Sequence, residues 1–187
     1  MQLLIAAAAA TCLSACAPGS PEAGRPDIPA AAETRPATAN SSVAMTVPVR
    51  PDGAYGLTLA AAELFVRHYI SLMNYAATTG DASAMRSVSA KDCDGCAKYY
   101  TSVEKLNEAD GGLGGDYLER VVEVTELTRT GKDKVAASTD VTVGKYLARR
   151  SPSATPVVVP ATPYTEEMVL AAVSGNWQMF EMELTTR

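Results

Sequence analysis

Long apolar runs are scarce in this sequence, and nowhere do the ~20 consecutive apolar residues of a membrane-spanning helix occur. Histidine and tryptophan occur once each, as His68 and Trp177, so histidine-based metal or acid-base sites have almost nothing to draw on. A basic stripe is also missing. Sixteen Lys and Arg stand against 21 Asp and Glu, a net charge of -5, and Arg149-Arg150 is too short a basic patch to imply a ligand. That balance argues against a nucleic-acid binder. What is present is ordinary apolar content, 47% of 187 residues, enough for one domain with a real core.

The N-terminal end is different in kind. Residues 3–13, LLIAAAAATCL, are too short to span a membrane and of the length of a signal-peptide core. They run into LSAC, residues 13–16: an apolar residue, two small residues and a cysteine. This resembles the lipobox of a bacterial lipoprotein. The resemblance implies that the chain is cut before Cys16 and that the Cys16 sulfur receives a diacylglyceryl group, a palmitate-type anchor. Only Met1 and Gln2 precede the apolar run, so the α-amino group is its sole positive charge unless the natural chain starts earlier.

From residue 17 to about 56 the chain is Pro, Ala, Thr, Ser and Gly with scattered charges and no apolar period. Repeated prolines block helix and sheet, and such a segment cannot offset its ordering entropy. It reads as a disordered tether with a reach on the order of 35 Å. The expected organisation is a signal peptide at 1–15, a lipidated cysteine and tether at 16–56, and a globular domain at 57–187.

The domain begins with TLAAAELFVRHYISLMNYAATTGD, residues 58–81. Glu63, Arg67, Ser71, Asn74 and Thr78 form a polar stripe opposite Ala62, Phe65, Val66, Tyr69, Leu72, Met73 and Ala76. Thr58 is the expected N-cap and Gly80 the left-handed C-terminal residue. Asp81 would cap a short second helix carrying Met85 and Val88. A third helix is expected from about Asp92, burying Cys96, Tyr99 or Tyr100, Val103 and Leu106. It would stop at the turn DGGLGG, residues 110–115. Then the period shortens. Residues 117–129 read as a strand bulged near Val121 and Val122, and residues 135–143 alternate cleanly. A proline-rich loop, a strand at 164–174, a Gly175-Asn176 turn and a strand at 177–184 follow.

Helices first and antiparallel strands after give an α+β domain: three N-terminal helices packed on a curved, mainly antiparallel four-stranded sheet. This order is similar to the nuclear-transport-factor-2-like (NTF2-like, cystatin-like) cone, a curved sheet wrapped round a long first helix.

The stretch KDCDGC, residues 91–96, is the chemically suggestive one. With Cys12 removed and Cys16 lipidated, only Cys93, Cys96 and His68 remain, too few for a four-ligand structural zinc. A redox pair would want nearby positive charge and a preceding strand, whereas Asp92 and Asp94 flank these cysteines. Outside the cytoplasm the favoured reading is a structural Cys93–Cys96 disulfide at the entry to the third helix. No metal and no cofactor is expected. His68 reads as a packing residue, and Tyr69, Asn74, Tyr75, Tyr99 and Trp177 as candidates for lining a pocket or the core.

FVRHYISLMNYAATTGD, then a CxxC, then GGLGG resemble a family of actinobacterial lipoproteins known only as a domain of unknown function (the 6318 type). The matching residues are Phe65, Val66, Tyr69, Ile70, Leu72, Asn74-Tyr75-Ala76, Thr79-Gly80-Asp81, Cys93, Cys96 and the glycine turn, about a third of the chain. The resemblance implies export, a lipid anchor at the outer face of the cytoplasmic membrane, and one domain after a tether. It brings no activity.

The expected function is therefore a non-catalytic binding or scaffolding module, with a lipid bilayer and an envelope protein or small ligand as partners. The alternative is a small-molecule carrier or sensor using the concave face of the sheet. Isomerase-like acid-base chemistry, which such cones can support, would need a buried carboxylate. Asp140 and Glu181 are the strand candidates, with Asp140 on the polar side.

Overall fold

The structure is a computed structural model describing residues 45–108, 113–149, 151 and 153–187. The signal-peptide core, Cys16 and most of the expected tether lie outside the described residues.

The first helix, α1 (Leu59–Thr79), begins and ends at the residues whose chemistry suits those positions. The Thr58 hydroxyl accepts from the Ala61 N–H at 3.0 Å, and Gly80 adopts φ 76°, a left-handed stop. α1 buries more than one face, from Ala61 through Phe65, Tyr69 and Met73 to Ala77. A short α2 (Ser83–Ser87) follows, its first turn closed by the Asp81 carboxylate accepting from the Ser83 N–H at 2.9 Å. Helix α3 (Asp94–Glu108) starts two residues later than the sequence reading placed it and buries Cys96, Tyr100 and Val103.

Two sheets follow rather than one. The larger has the order β2-β3-β6-β7, all antiparallel, from β2 (Arg120–Arg129), β3 (Lys134–Val143), β6 (Thr162–Val173) and β7 (Asn176–Thr186). The register of β2 slips at Val122 and again at Thr125, so the expected bulge is double. In β3, Val135, Ala137, Thr139, Val141 and Val143 are all buried, as their alternation predicts. The β6–β7 turn is Ser174-Gly175, with φ 50° and 79°, one residue earlier than expected. Two successive positive φ angles match the right-handed twist of the flanking strands.

The smaller sheet, β1-β4-β5, corrects the sequence reading. β1 (Leu113–Gly115) lies in the stretch read as a glycine turn, and β5 (Val157–Val159) inside the proline-rich loop. Both pair with β4 (Tyr146–Ala148). Strands of three residues have no period to detect; their partners create them.

The boundary of the tether also moves. The segment from Met45 to Gly56, assigned above to the tether, enters the folded unit through a 3-10 turn, Asp52–Ala54, with Ala54 fully buried. The cause is Arg50. Its guanidinium lies 4.7 Å from the ring centres of both Tyr55 and Phe65 and donates to the Ala54 carbonyl at 2.7 Å.

The core lies between the helices and one face of the larger sheet, where Phe65, Tyr69 and Met73 meet Met168, Leu170 and Trp177. No described helix is long and apolar enough to cross a membrane.

Candidate functional site

Between α3 and the end of the larger sheet nearest β4, the core does not close. A pocket of about 680 Å³ opens there, within the range of small-molecule sites. Four tyrosines line it: Tyr99 from α3, Tyr117 from the segment before β2, Tyr146 from β4 and Tyr164 from β6. Two of their hydroxyls are directed at α1. Tyr99 donates to the Met73 carbonyl at 3.3 Å, and Tyr117 to the Thr78 hydroxyl at 3.2 Å. Val103, Leu106, Leu113 and Met182 extend the apolar wall.

The polar feature of this wall is Glu119. Its backbone is held by a single side chain, Asn74 of α1. Asn74 Oδ1 accepts from the Glu119 N–H at 2.7 Å and Asn74 Nδ2 donates to the Glu119 carbonyl at 2.9 Å. An amide side chain here does what a neighbouring strand would do, in the stretch just before β2 joins the sheet. Glu119 Oε2 is sealed from solvent, with no partner beyond the Glu166 side chain.

Behind Glu119 stands Glu166, on β6. It is 0% exposed, and its carboxyl has no partner beyond the neighbouring Glu119 side chain. Its parity places it inward with Tyr164, Met168 and Leu170. Opposite it on β3 is Thr139, also fully buried and with an unpartnered hydroxyl. The two carboxyls interact with each other. Burial raises the pKa of each, and the charge of Glu119 raises that of Glu166 further. The pair titrates in two steps displaced toward about 7 and about 10, with Glu166 keeping its proton the longer. Tyr99 is pushed up as well, first by burial and then by both acids, and Tyr146 by burial, then Tyr164 and Glu119. Among the described residues no Lys, Arg or His forms an ion pair with either glutamate.

Cys93 and Cys96 form a disulfide with Cα atoms 5.3 Å apart, and both residues are buried. The Cys96 N–H lies 3.3 Å from Cys93 Sγ. The bridge sits at the first turn of α3, on the side packed against β7. Gly95 explains the spacing. A Cβ at that position would lie 1.7 Å from the Met182 carbonyl oxygen, so only glycine lets α3 approach β7 this closely. Among the described residues no group of His, Cys, Asp or Glu is arranged to hold a metal ion.

Of the five candidate lining residues, Tyr99 lines the pocket. Asn74, placed on the polar stripe of α1, instead positions Glu119. Tyr69 is a core residue whose hydroxyl is 2.9 Å from that of Ser89. Trp177 is buried and donates to the Thr58 carbonyl at 3.0 Å, and Tyr75 is buried on α1. His68 is buried outside the pocket lining, and burial, helped by Arg50, holds its pKa below the usual range. Neither carboxylate candidate reaches the pocket. Asp140 pairs with Arg187 on the outer face, and Glu181 is exposed. Alternation along β6 could have found Glu166, an acid in phase with Tyr164, Met168 and Leu170. Nothing periodic marks Glu119.

With the geometry in place, comparison with known proteins gives a lineage. A family model described as "Family of unknown function (DUF6318)" matches residues 32–183. The chain belongs to that family. No curated protein matches its sequence. Among solved structures, this member of the family resembles the intermembrane-space region of the chloroplast protein ARC6 at 12% identity and TM-score 0.51, covering 70% of this chain and 98% of that one. A protein assigned as a scytalone dehydratase from Novosphingobium aromaticivorans is similar at 11% identity and TM-score 0.48, covering 69% and 87%. An NTF2-like protein of unknown function from Prochlorococcus marinus is similar at 11% identity and TM-score 0.34, covering 46% and 60%. Identities this low speak of fold alone, and catalysis is neither supported nor excluded by them.

Proposed function

We propose that this DUF6318 protein is a small-molecule binding module, moored by an acyl chain on Cys16 at the outer face of the cytoplasmic membrane. The observation that supports binding is the open pocket of about 680 Å³, walled by tyrosine rings, with Glu119 at its polar end and the buried Glu166 behind it. A concave site of that volume, mostly apolar and aromatic with a few polar groups, is the usual form of a small-molecule site. The mooring is supported by the lipobox-like LSAC and the Pro- and Ala-rich stretch after it.

Each half has its own test. Nile red, a neutral probe that fluoresces in apolar sites, should bind the purified chain saturably at one site. Ser102→Trp, a replacement at an exposed position lining the pocket, should abolish that binding with the fold intact. Non-saturable binding, or binding indifferent to Ser102→Trp, contradicts the pocket reading. Metabolic labelling with a fatty acid should mark the wild type and not Cys16→Ala; an unlabelled wild type contradicts the anchor.

The carboxyl pair favours acid-base catalysis as the second reading, because a group that keeps its proton stands behind one that ionises near neutrality. Turnover of a bound ligand, lost in Glu119→Gln, would replace the binding reading with this one.

A further inference from the structure

The pocket combines three features that point to one class of ligand. First, its walls are aromatic, and the hydroxyls of Tyr99 and Tyr117 are engaged with α1, which leaves their rings as pocket surface. Ring faces carry negative electrostatic potential and attract cations. Second, Glu119 lines the polar end with the buried Glu166 behind it, and no cationic side chain is paired to either among the described residues. Glu166 is fully buried with no partner beyond the Glu119 side chain, and a buried acid so placed is costly to ionise unless a positive charge is supplied. Third, the remaining wall, from Val103, Leu106, Leu113 and Met182, is apolar and long enough for a hydrocarbon body. Lys98 also lines the pocket, but it is an exposed residue and forms no ion pair among the described residues.

We infer that the pocket takes an organic ammonium compound: its charged nitrogen lies against Glu119 among the tyrosine rings, and its apolar body runs along Val103, Leu106 and Met182. This rests on the pocket reading of the preceding subsection and adds the charge of the ligand to it. A proton balance follows. A cation beside Glu119 favours its carboxylate, so binding near neutrality expels a fraction of a proton into buffer, while Glu166 retains its own. The charged and titratable groups facing Glu119 are Glu166 and Tyr164 from β6, Tyr99 and Lys98 from α3, Tyr146 from β4 and Glu183 from β7. Of these, protonated Glu166 favours the Glu119 carboxylate through its hydrogen bond, so burial is what opposes ionisation of Glu119 and what a bound cation would counter.

The test is displacement of Nile red from the full chain by three isosteric probes: 4-phenylbutylamine, 4-phenylbutan-1-ol and 4-phenylbutanoate. The amine should displace the dye at a concentration about tenfold lower than the alcohol at pH 7.5, and the carboxylate should be the poorest of the three. The amine's advantage should shrink as the pH is lowered and Glu119 takes up its proton, and should vanish in Glu119→Gln. Titration calorimetry of the wild type in buffers of different ionisation heat should show proton release with the amine and none with the alcohol, a readout that does not depend on the variant folding. Equal displacement by amine and alcohol, or the best displacement by the carboxylate, overturns the cation inference and leaves the pocket standing. Absence of saturable Nile red binding removes the pocket reading, and this inference with it.

Discussion

Asn74 and Glu119, one in the middle of the long helix and the other at the approach to the first strand of the larger sheet, are joined by two hydrogen bonds of 2.7 and 2.9 Å. The Asn74 amide satisfies both backbone groups of Glu119, so the position of the pocket's acid is set by the helix rather than by the sheet. In Asn74→Ala those groups lose their partners, at a cost of about 1–3 kcal/mol. A lowered denaturation midpoint, together with weakened Nile red binding, is the expected result. Unchanged binding in a destabilised variant would show that the clamp serves the fold and not the site.

The acid pair makes stability depend on pH in an uncommon direction. Glu119 and Glu166 have folded-state pKa values above the ordinary 4.5 of glutamate, so their stabilising contribution is complete below that value. It is lost as pH rises through the folded-state values of about 7 and about 10. The carboxylates held below the usual range, Asp81 and Glu104, act only in acid, while His68, held below its ordinary 6.5, makes stability rise with pH and opposes the slope at the low end of this window. The midpoint of thermal unfolding should fall by roughly 5 °C or more between pH 6 and pH 9. Glu166→Gln should flatten most of that slope. A wild-type midpoint that is level or rising over the same interval would contradict the assignment.

Gly95 is expected to tolerate no side chain. The Cβ of Gly95→Ala would press on the Met182 backbone, which cannot yield as a flexible side chain would. The cost should be about 1–3 kcal/mol, and the pocket should deform, because Gly95 and Met182 both line it. Chemical denaturation and Nile red binding, measured on the same sample, check both effects.

The disulfide closes a short loop, and its removal should be mild. Replacing Cys93 and Cys96 together by alanine is expected to cost about 2 kcal/mol and to leave probe binding within a factor of a few. Loss of all binding, with the fold retained, would give the sulfurs a role at the site that their buried position does not suggest.

How much of this was readable in the sequence depends on whether an element has a local cause. Thr58 and Gly80 bound α1 through their own chemistry, and the alternation of β3 follows from burial of one face, so both were legible. β1 and β5 were not, because Leu113–Gly115 and Val157–Val159 become strands only by pairing with Tyr146–Ala148. Arg50 holds residues 45–56 on the folded unit through Tyr55 and through Phe65 of α1, a contact between single residues that leaves no periodic pattern. At the site, Glu166 sat in the apolar phase of its strand but was masked by Glu167 beside it. Asn74 matched the polar stripe of α1, and only the fold shows that its amide faces Glu119 and not water.

The central claim is that Glu119 lines the polar end of an open aromatic pocket with the buried Glu166 carboxyl behind it and no cationic side chain paired to either among the described residues. Carboxyl-carbon NMR of the glutamates, titrated from pH 4 to pH 10 and assigned with Glu119→Gln and Glu166→Gln, measures it most directly. The account predicts two resonances that titrate well above the range of the exposed glutamates, each responding when the other residue is replaced. Two resonances titrating independently near 4.5 would contradict it.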